Sequence, residues 1–162
     1  MNAVAEDTRK VVPFPSAAWF AELGDLMKAN RARQEHLGYI DCSVAFTVTD
    51  GSADGLARHF RVVFEEFEAV DIAEVDAAGA ASADFALAAS GATWRAMIDS
   101  IAAGDGRPAL TQTLNHLSHM GTPLALVAAD PLKSDLYYRY NQSLQEFVNA
   151  SHVFHTVYPT AR

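Results

Sequence analysis

The fold is decided by the stretch Ala83-Asp-Phe-Ala-Leu-Ala-Ala-Ser-Gly-Ala-Thr-Trp-Arg-Ala-Met-Ile-Asp-Ser-Ile-Ala-Ala-Gly104. Phe85 and Leu87 share a period of two, which predicts one face of a β-strand. After a short turn, apolar residues recur at helical spacing and form one stripe: Trp94, Met97, Ile98 and Ile101. Two large apolar faces therefore meet across one turn, where they either fill a core or line a cavity.

Three further strands are predicted before this stretch. Apolar and polar residues alternate over 40–49 and again over 56–67, and a weaker, more charged strand follows at 68–76. With the strand at 83–89, this makes four consecutive strands joined by short turns. Such an order predicts an antiparallel sheet that helices cover on one face.

Capping residues predict where the first and last helices begin. Ser16 is a good N-cap for a helix that should run to about His36, with Gly38 as its stop. Asp130 followed by proline predicts the start of a long C-terminal helix that runs to about Ser151. Tyr140 is expected to face the core from this last helix.

The remaining segments complete a single α+β domain, assigned to residues 15–158 after an N-terminal extension at 1–14. Pro108 suits the first turn of another helix. The apolar run 124–129 predicts either a fifth strand or a buried helical turn, because periodicity does not separate the two. The expected architecture is an antiparallel sheet of four to five strands, helices on one face and a long C-terminal helix.

The charge of the chain argues against two classes of partner. Its formal net charge is −8 at pH 7. Nucleic-acid binding needs clustered lysine and arginine, and docking on anionic lipid needs the same. We therefore expect neither a nucleic-acid partner nor electrostatic docking on an anionic membrane; stable insertion in a membrane is not expected either, because no apolar run is long enough.

Cysteine content and the absence of long apolar runs favour a cytoplasmic location. Cys42 is the only cysteine, so no intramolecular disulfide can form, which fits a reducing compartment. Its place in an alternating strand predicts a buried apolar side chain. No apolar run reaches the 18 to 20 residues, roughly, that a membrane-spanning helix needs.

The order of elements resembles that of sterol carrier protein 2-like domains, over roughly residues 15–130. The resemblance rests on these segments: Trp19–Leu26, the run from Val44 to Asp50-Gly51, and Ala83-Asp84-Phe85 followed by Trp94 and Gly104. It implies a leading helix, an antiparallel sheet and helices that close a lipid-sized apolar tunnel. It implies binding or carriage of an acyl chain or a sterol-like compound, and it provides no catalytic residues.

The candidate ligand-binding residues are large apolar side chains from the sheet and the helices that follow it. Apolar ligands bind in concave, mostly apolar sites, and methionine adapts to irregular shapes. The predicted wall consists of Phe46, Phe85, Leu87, Trp94, Met97, Ile98, Ile101, Leu117 and Met120. A dry core made of the same residues is the competing interpretation.

An enzyme of the cone-shaped isomerase or dehydratase type is one alternative. Asp84 could act as a general base beside an apolar cup, with His59, Asp41 and Tyr39 as further members. A deep pocket that holds a paired aspartate and histidine would favour this hypothesis.

A non-catalytic accessory or dimerisation subunit is the third hypothesis. Tyr137 and Tyr138 on the last helix could lie at a helix or subunit contact, which leaves a homodimer open. The sequence implies no cofactor. The His-x-x-His pairs at 116–119 and 152–155 would form a full metal site only if they converged or a carboxylate joined one, so no metal is assigned.

Overall fold

A five-stranded mixed sheet is the centre of the computed structural model, which describes residues 8–159. In chain order the strands are β1 (Val11–Pro13), β2 (Cys42–Val48), β3 (Arg58–Glu65), β4 (Glu68–Val75), β5 (Phe85–Ala89), β6 (Ala125–Val127) and β7 (His155–Val157). The sheet has the order β4-β3-β2-β5-β6, and β1 pairs with β7 as a separate parallel ribbon. Residues 1–7 of the predicted N-terminal extension lie outside the described residues.

The predicted fold class is confirmed, but the sheet is mixed where a purely antiparallel one was expected. β5 does not follow β4 at the edge; it returns to the middle of the sheet and pairs with β2 in parallel. The physical reason is burial on both faces of β2, where Ala45 and Thr47 are buried as well as the apolar residues that alternate with them. β4 is half-exposed and charged, so it suits the edge.

Six α-helices surround the sheet within residues 8–159: α1 (Ala17–Ala29), α2 (Arg31–Leu37), α3 (Ala77–Ala81), α4 (Gly91–Ala103), α5 (Leu114–Ser118) and α6 (Pro131–Asn149). Two 3₁₀ turns, at Leu110–Gln112 and Ala150–Val153, precede α5 and follow α6. No helix in this part of the chain is long and apolar enough to cross a bilayer.

The predicted helix caps are confirmed. Ser16 accepts a hydrogen bond from the backbone N–H of Trp19, and Asp130 accepts one from Lys133. The leading helix differs from the prediction because it breaks at Asn30, whose backbone leaves the helical region at φ −108° and ψ 44°. The chain then resumes as α2 and stops at Gly38, which has φ +104°.

The core lies between one face of the sheet and the helices α1, α4 and α6. The inner strand residues are almost completely buried: Val44, Phe46, Val48, Phe60, Val62, Phe64, Phe85, Leu87 and Ala89. From α6 the core receives Tyr137, which is fully buried, whereas Tyr140 is only half-buried. The sequence left open whether Tyr137 lies at a helix or subunit contact; it is buried in the core, and its hydroxyl is hydrogen-bonded to the Ser118 hydroxyl at 2.8 Å.

The short connections also differ from expectation. The small-residue segment 77–82 forms the one-turn helix α3, with Asp76 as its N-cap. After Pro108 the chain forms a 3₁₀ turn and the five-residue α5 instead of one helix. The apolar run 124–129 contains strand β6, which pairs antiparallel with β5.

Candidate functional site

The predicted ligand wall lies between the sheet and the helices, and we call this region the interlayer. Eight of its nine residues are no more than 6% exposed and face this region: Phe46, Phe85, Leu87, Trp94, Met97, Ile98, Ile101 and Leu117. Met120 lies elsewhere. It follows the end of α5 in a turn, and its side chain is 80% exposed.

Aromatic rings fill the interlayer by contacting one another. Phe20 of α1 stacks against Phe60 and lies against Phe46, each at 5.1 Å between ring centroids. Trp94 lies 6.2 Å from Phe46, and its indole N–H donates to the Thr47 carbonyl at 3.0 Å. Such packing is typical of a closed protein interior, so a guest would have to displace side chains.

A polar cleft of about 580 Å³ lies at one end of the interlayer. It is bounded by the end of α1, by α2, by the loop after α4 and by the end of α6 with its 3₁₀ turn. Its lining comprises Leu26, Met27, Ala29, Asn30, Arg33, Gln34, Asp105, Gly106, Arg107, Glu146, Phe147, Asn149, Ala150, His152 and Val153. The floor is apolar, since Met27 and Phe147 belong to the buried core.

Two polar groups of the cleft have no partner among the residues that the structure describes. Only 6% of Gln34 is exposed, yet its side-chain amide makes no hydrogen bond there. Arg107 makes no ion pair within residues 8–159. By contrast, Arg33 is bound to Glu146 at 2.6 Å. The amide atoms of Gln34 are not among the buried polar atoms without a partner, and Arg107 is exposed, so both groups are open to water and can accept a ligand in its place.

The loop after α4 forms one side of the cleft. Asp105 and Gly106 have φ angles of +53° and +93°. Gly106 lies against the His152 ring so closely that an added Cβ would be 2.8 Å from Cδ2. His152 Nδ1 also lies 3.3 Å from an Asp105 carboxylate oxygen. These contacts hold the loop against the end of α6 and keep Arg107 at the rim.

Sequence reasoning missed this cleft because it predicted one helix up to about His36 and gave no binding role to the polar residues at its end. One signal was available. Gln34 lies seven residues after Met27, a spacing that returns to the same helical face. Phe20 and Leu23 occupy the preceding turns of that face.

The residues of the enzyme hypothesis have separate partners. Asp84 accepts a hydrogen bond from the Ser43 backbone N–H at 2.8 Å and pairs with Lys133 at 2.5 Å. Partial burial raises the pKa of Asp84, but the Lys133 and Ser43 interactions outweigh it and lower the pKa overall. His59 Nδ1 is bonded to the Thr47 hydroxyl at 2.8 Å. Asp84 is therefore a salt-bridged structural carboxylate, and the paired acid and base of the hypothesis is not formed.

The geometry gives little support to a reactive cysteine or to a metal site built from histidines. Cys42 is buried, and desolvation raises its pKa to about 12, which keeps it a neutral thiol. His116 and His119 are exposed on and after α5. Within the described chain, no three side chains of His, Cys, Asp or Glu meet in a way that could hold a metal ion.

A second groove, of about 410 Å³, lies on the opposite face of the sheet. It is bounded mainly by alanines of α3, β5 and the segment after β6, with the Thr47–His59 pair at one side. The Thr47 hydroxyl and His59 Nδ1 are already bonded to each other. These polar groups of the groove are thus already paired, whereas the Gln34 amide and the Arg107 guanidinium of the cleft at the end of α6 are not.

Comparison with solved structures identifies the fold. The chain aligns with the crystal structure of sterol carrier protein 2 with a TM-score of 0.61 and 19% identity, over 85% of this chain and 95% of that one. It also aligns with the solution structure of a conserved hypothetical protein from Thermus thermophilus whose description suggests a sterol carrier protein. That alignment has a TM-score of 0.60 and 17% identity, over 91% and 92% of the two chains.

Comparisons of sequence alone give no match, either to a protein-family model or to a curated protein. The structural likeness nevertheless covers most of the chain. The protein therefore has a sterol carrier protein 2-like fold, as its order of elements predicted.

Proposed function

We propose that this protein binds and carries an apolar small molecule, an acyl chain or a sterol-like compound, within the interlayer. The observation that carries this proposal is a polar cleft with unpaired groups whose floor is formed by side chains of the apolar core. An amphiphilic ligand needs that arrangement, because its tail must leave water while its head keeps hydrogen-bonding partners. The sterol carrier protein 2-like fold supports the same function.

The cleft favours a ligand with a carboxylate head. Arg107 provides a cation that no described side chain neutralises, and the Gln34 amide provides a donor and an acceptor in the same cleft. Asn30, whose side chain caps neither neighbouring helix, adds another amide. A single carboxylate would satisfy these groups better than a hydroxyl, because the pairing with arginine is charge-assisted.

The interlayer would receive the tail of the ligand. The buried stripe of α4 extends about 10 Å from Trp94 to Ile101, at a rise of about 1.5 Å per residue, and the cleft begins just beyond its end. Met27 and Met97 lie along this route, and unbranched methionine side chains can yield to an irregular guest. Each methylene removed from water contributes about 0.8 kcal/mol, which permits micromolar affinity after ordering costs.

A matched pair of variants tests this function. Met97→Trp fills the interlayer, whereas Met120→Trp adds the same ring at an exposed position. For the unaltered chain we expect saturable binding of a fluorescent fatty acid. Met97→Trp should weaken it by at least about tenfold, the equivalent of about 1.4 kcal/mol, and Met120→Trp should leave it unchanged. Thermal unfolding of both variants checks that they remain folded.

The proposal fails if fatty acid, sterol and phospholipid probes all give no saturable binding to the unaltered protein. It also fails if folded Met97→Trp binds as well as Met120→Trp. A cytoplasmic location, a homodimer and the domain boundaries stay predictions, and the separate partners of Asp84 and His59 disfavour the enzyme alternative.

A further inference from the structure

The two edges of the main sheet differ in how well they are protected against pairing with another strand. β4 forms one edge, and it carries the acidic residues Glu68, Asp71 and Glu74. The register of its pairing with β3 also shifts between Val63 and Phe64, which marks a bulge. Charged side chains and bulges are both devices by which natural sheets prevent a further strand from adding to an edge.

β6, at the other edge, has neither charge nor a neighbouring strand on its outer side. Its three residues are Ala125, Leu126 and Val127, and they pair with β5 alone within residues 8–159. No backbone group from Ala125 to Ala129 makes a hydrogen bond outside the β5–β6 pair in that part of the chain. The backbone groups on the outer side of β6 are therefore available to another strand.

The surface around β6 combines exposed apolar side chains with an absence of charge. No Asp, Glu, Lys or Arg occurs from Pro108 to Ala129, in a chain whose net charge is −8. Met120 is 80% exposed, Val127 is 55% exposed, and Leu132 in the first turn of α6 is 79% exposed. Because like net charges repel, two copies of this chain approach each other most easily through uncharged surfaces of this kind.

Antiparallel pairing of β6 with the same strand of a second copy makes this surface complementary to itself. A two-fold axis at Leu126 brings each residue beside the one that lies equally far on the other side of Leu126 in the second copy. Met120 precedes Leu126 by six residues, and Leu132 follows it by six. The turn that carries Met120 in one copy therefore comes beside the start of α6, with Leu132, in the other.

We infer that β6 and its flanking residues 120–132 form a self-association surface, through which two copies of this chain join their sheets, independently of the proposed function. Because β6 is short, the flanking side chains supply most of the contact. The area is small compared with the roughly 800 Å² per partner of a standard interface. The dimer is accordingly reversible, with a dissociation constant between about 1 μM and 1 mM.

This surface is separate from the cleft. Three residues connect β6 to the N-terminal end of α6, whereas the cleft lies at the other end of this 19-residue helix. At a rise of about 1.5 Å per residue, the two ends are about 28 Å apart. We therefore expect monomer and dimer to bind a ligand in the cleft equally well.

Two exposed valines on the opposite edges of the sheet provide a matched test. Val127→Lys places a charge on β6, whereas Val70→Lys places the same charge on β4, where the valine is 49% exposed. Sedimentation equilibrium of the full chain should show that Val127→Lys raises the dissociation constant of the dimer at least about tenfold. Val70→Lys should leave it within about threefold. Leu132→Glu is the second variant, since an acidic residue suits the first turn of a helix.

Two results would overturn this assignment. One is an unaltered chain that sediments as a monomer at every concentration up to about 1 mM. The other is a dimer that persists in folded Val127→Lys and Leu132→Glu as strongly as in Val70→Lys, since the copies would then meet through another surface. Titration of Val127→Lys with a fluorescent fatty acid tests the proposed function apart from the dimer, because the monomeric variant keeps the cleft intact.

Discussion

The two ends of α6 differ in how their polar groups are satisfied. At the N-terminal end, Asp130 caps the helix, Lys133 pairs with Asp84, and the Tyr137 hydroxyl is bonded to Ser118. At the C-terminal end, the helix borders the cleft. There the solvent-accessible Gln34 amide and the exposed Arg107 guanidinium have no partner among residues 8–159.

This difference separates polar groups that stabilise the fold from groups that are available to something else. A buried polar group with its partners in place offsets its own desolvation, whereas one without them lowers stability. The N-terminal end of α6 is thus explained by folding alone. At the C-terminal end, the polar groups are open to solvent, which leaves them available to the head of a ligand.

The largest effect on stability is expected near the N-terminal end of α6, where the polar groups have their partners in place. Asp84→Asn removes the charge that Lys133 and Ser43 stabilise, and we expect the free energy of unfolding at pH 7 to fall by about 1 to 2 kcal/mol. The expected loss is this small because the Lys133 side chain is nearly half exposed, so solvent screens its attraction to Asp84. Urea unfolding at several pH values measures it.

The pH dependence follows from the direction of the pKa shift. The pKa of Asp84 is lower in the folded chain than the ordinary value of 3.8. Its contribution to stability is therefore fully present above that value and is lost as the pH falls through the folded pKa. The deficit of Asp84→Asn should shrink accordingly in acid. A deficit that stays constant down to pH 2, roughly two units below the ordinary aspartate pKa, would contradict this assignment.

At the C-terminal end of α6, removal of the unpaired Gln34 amide should change stability less than Asp84→Asn does and in the opposite direction. It should also weaken ligand binding. Gln34→Leu removes an amide that has no partner in the described chain, so stability should stay the same or rise by up to about 1 kcal/mol. Binding of a fluorescent fatty acid should weaken by about fivefold, because one hydrogen bond of about 1 kcal/mol is lost. Thermal unfolding and probe titration measure the two effects.

Gln145→Leu is the matched control for this comparison. The Gln145 amide accepts from the Leu114 N–H and donates to the Asn149 side chain, each at 2.8 Å. Its loss should lower the free energy of unfolding by about 1 kcal/mol. If Gln34→Leu destabilises the chain as much as Gln145→Leu does, the two amides are equivalent and the comparison breaks down.

Much of the fold was predictable because local signals decided it. Ser16 and Asp130 cap their helices, and the stripe from Trp94 to Ile101 is buried as a helix face. The parallel pairing of β2 with β5 was not predictable in the same way, since it depends on which strand edge β5 meets after α3. Alternation specifies the face of a strand but not its neighbour.

The candidate site was predictable only in its apolar part. Spacing identified the wall residues from Phe85 to Ile101, since burial follows periodicity. The cleft depends on contacts between segments far apart in the chain: α2 around Gln34, the loop at Arg107 and the end of α6 near Phe147. Met120 differs from these wall residues. It was expected to continue a helical apolar face, but α5 ends at Ser118, so the Met120 side chain lies exposed.

Native mass spectrometry of the protein purified from its own cells tests the central claim most directly. The unpaired cleft predicts a species heavier than the bare chain by the mass of one amphiphilic molecule, and this extra mass should be absent under denaturing conditions. The same spectrum for Gln34→Leu should show less of the bound species. Spectra that contain only the bare chain, with no shift when a fatty acid is added in excess, would contradict the claim.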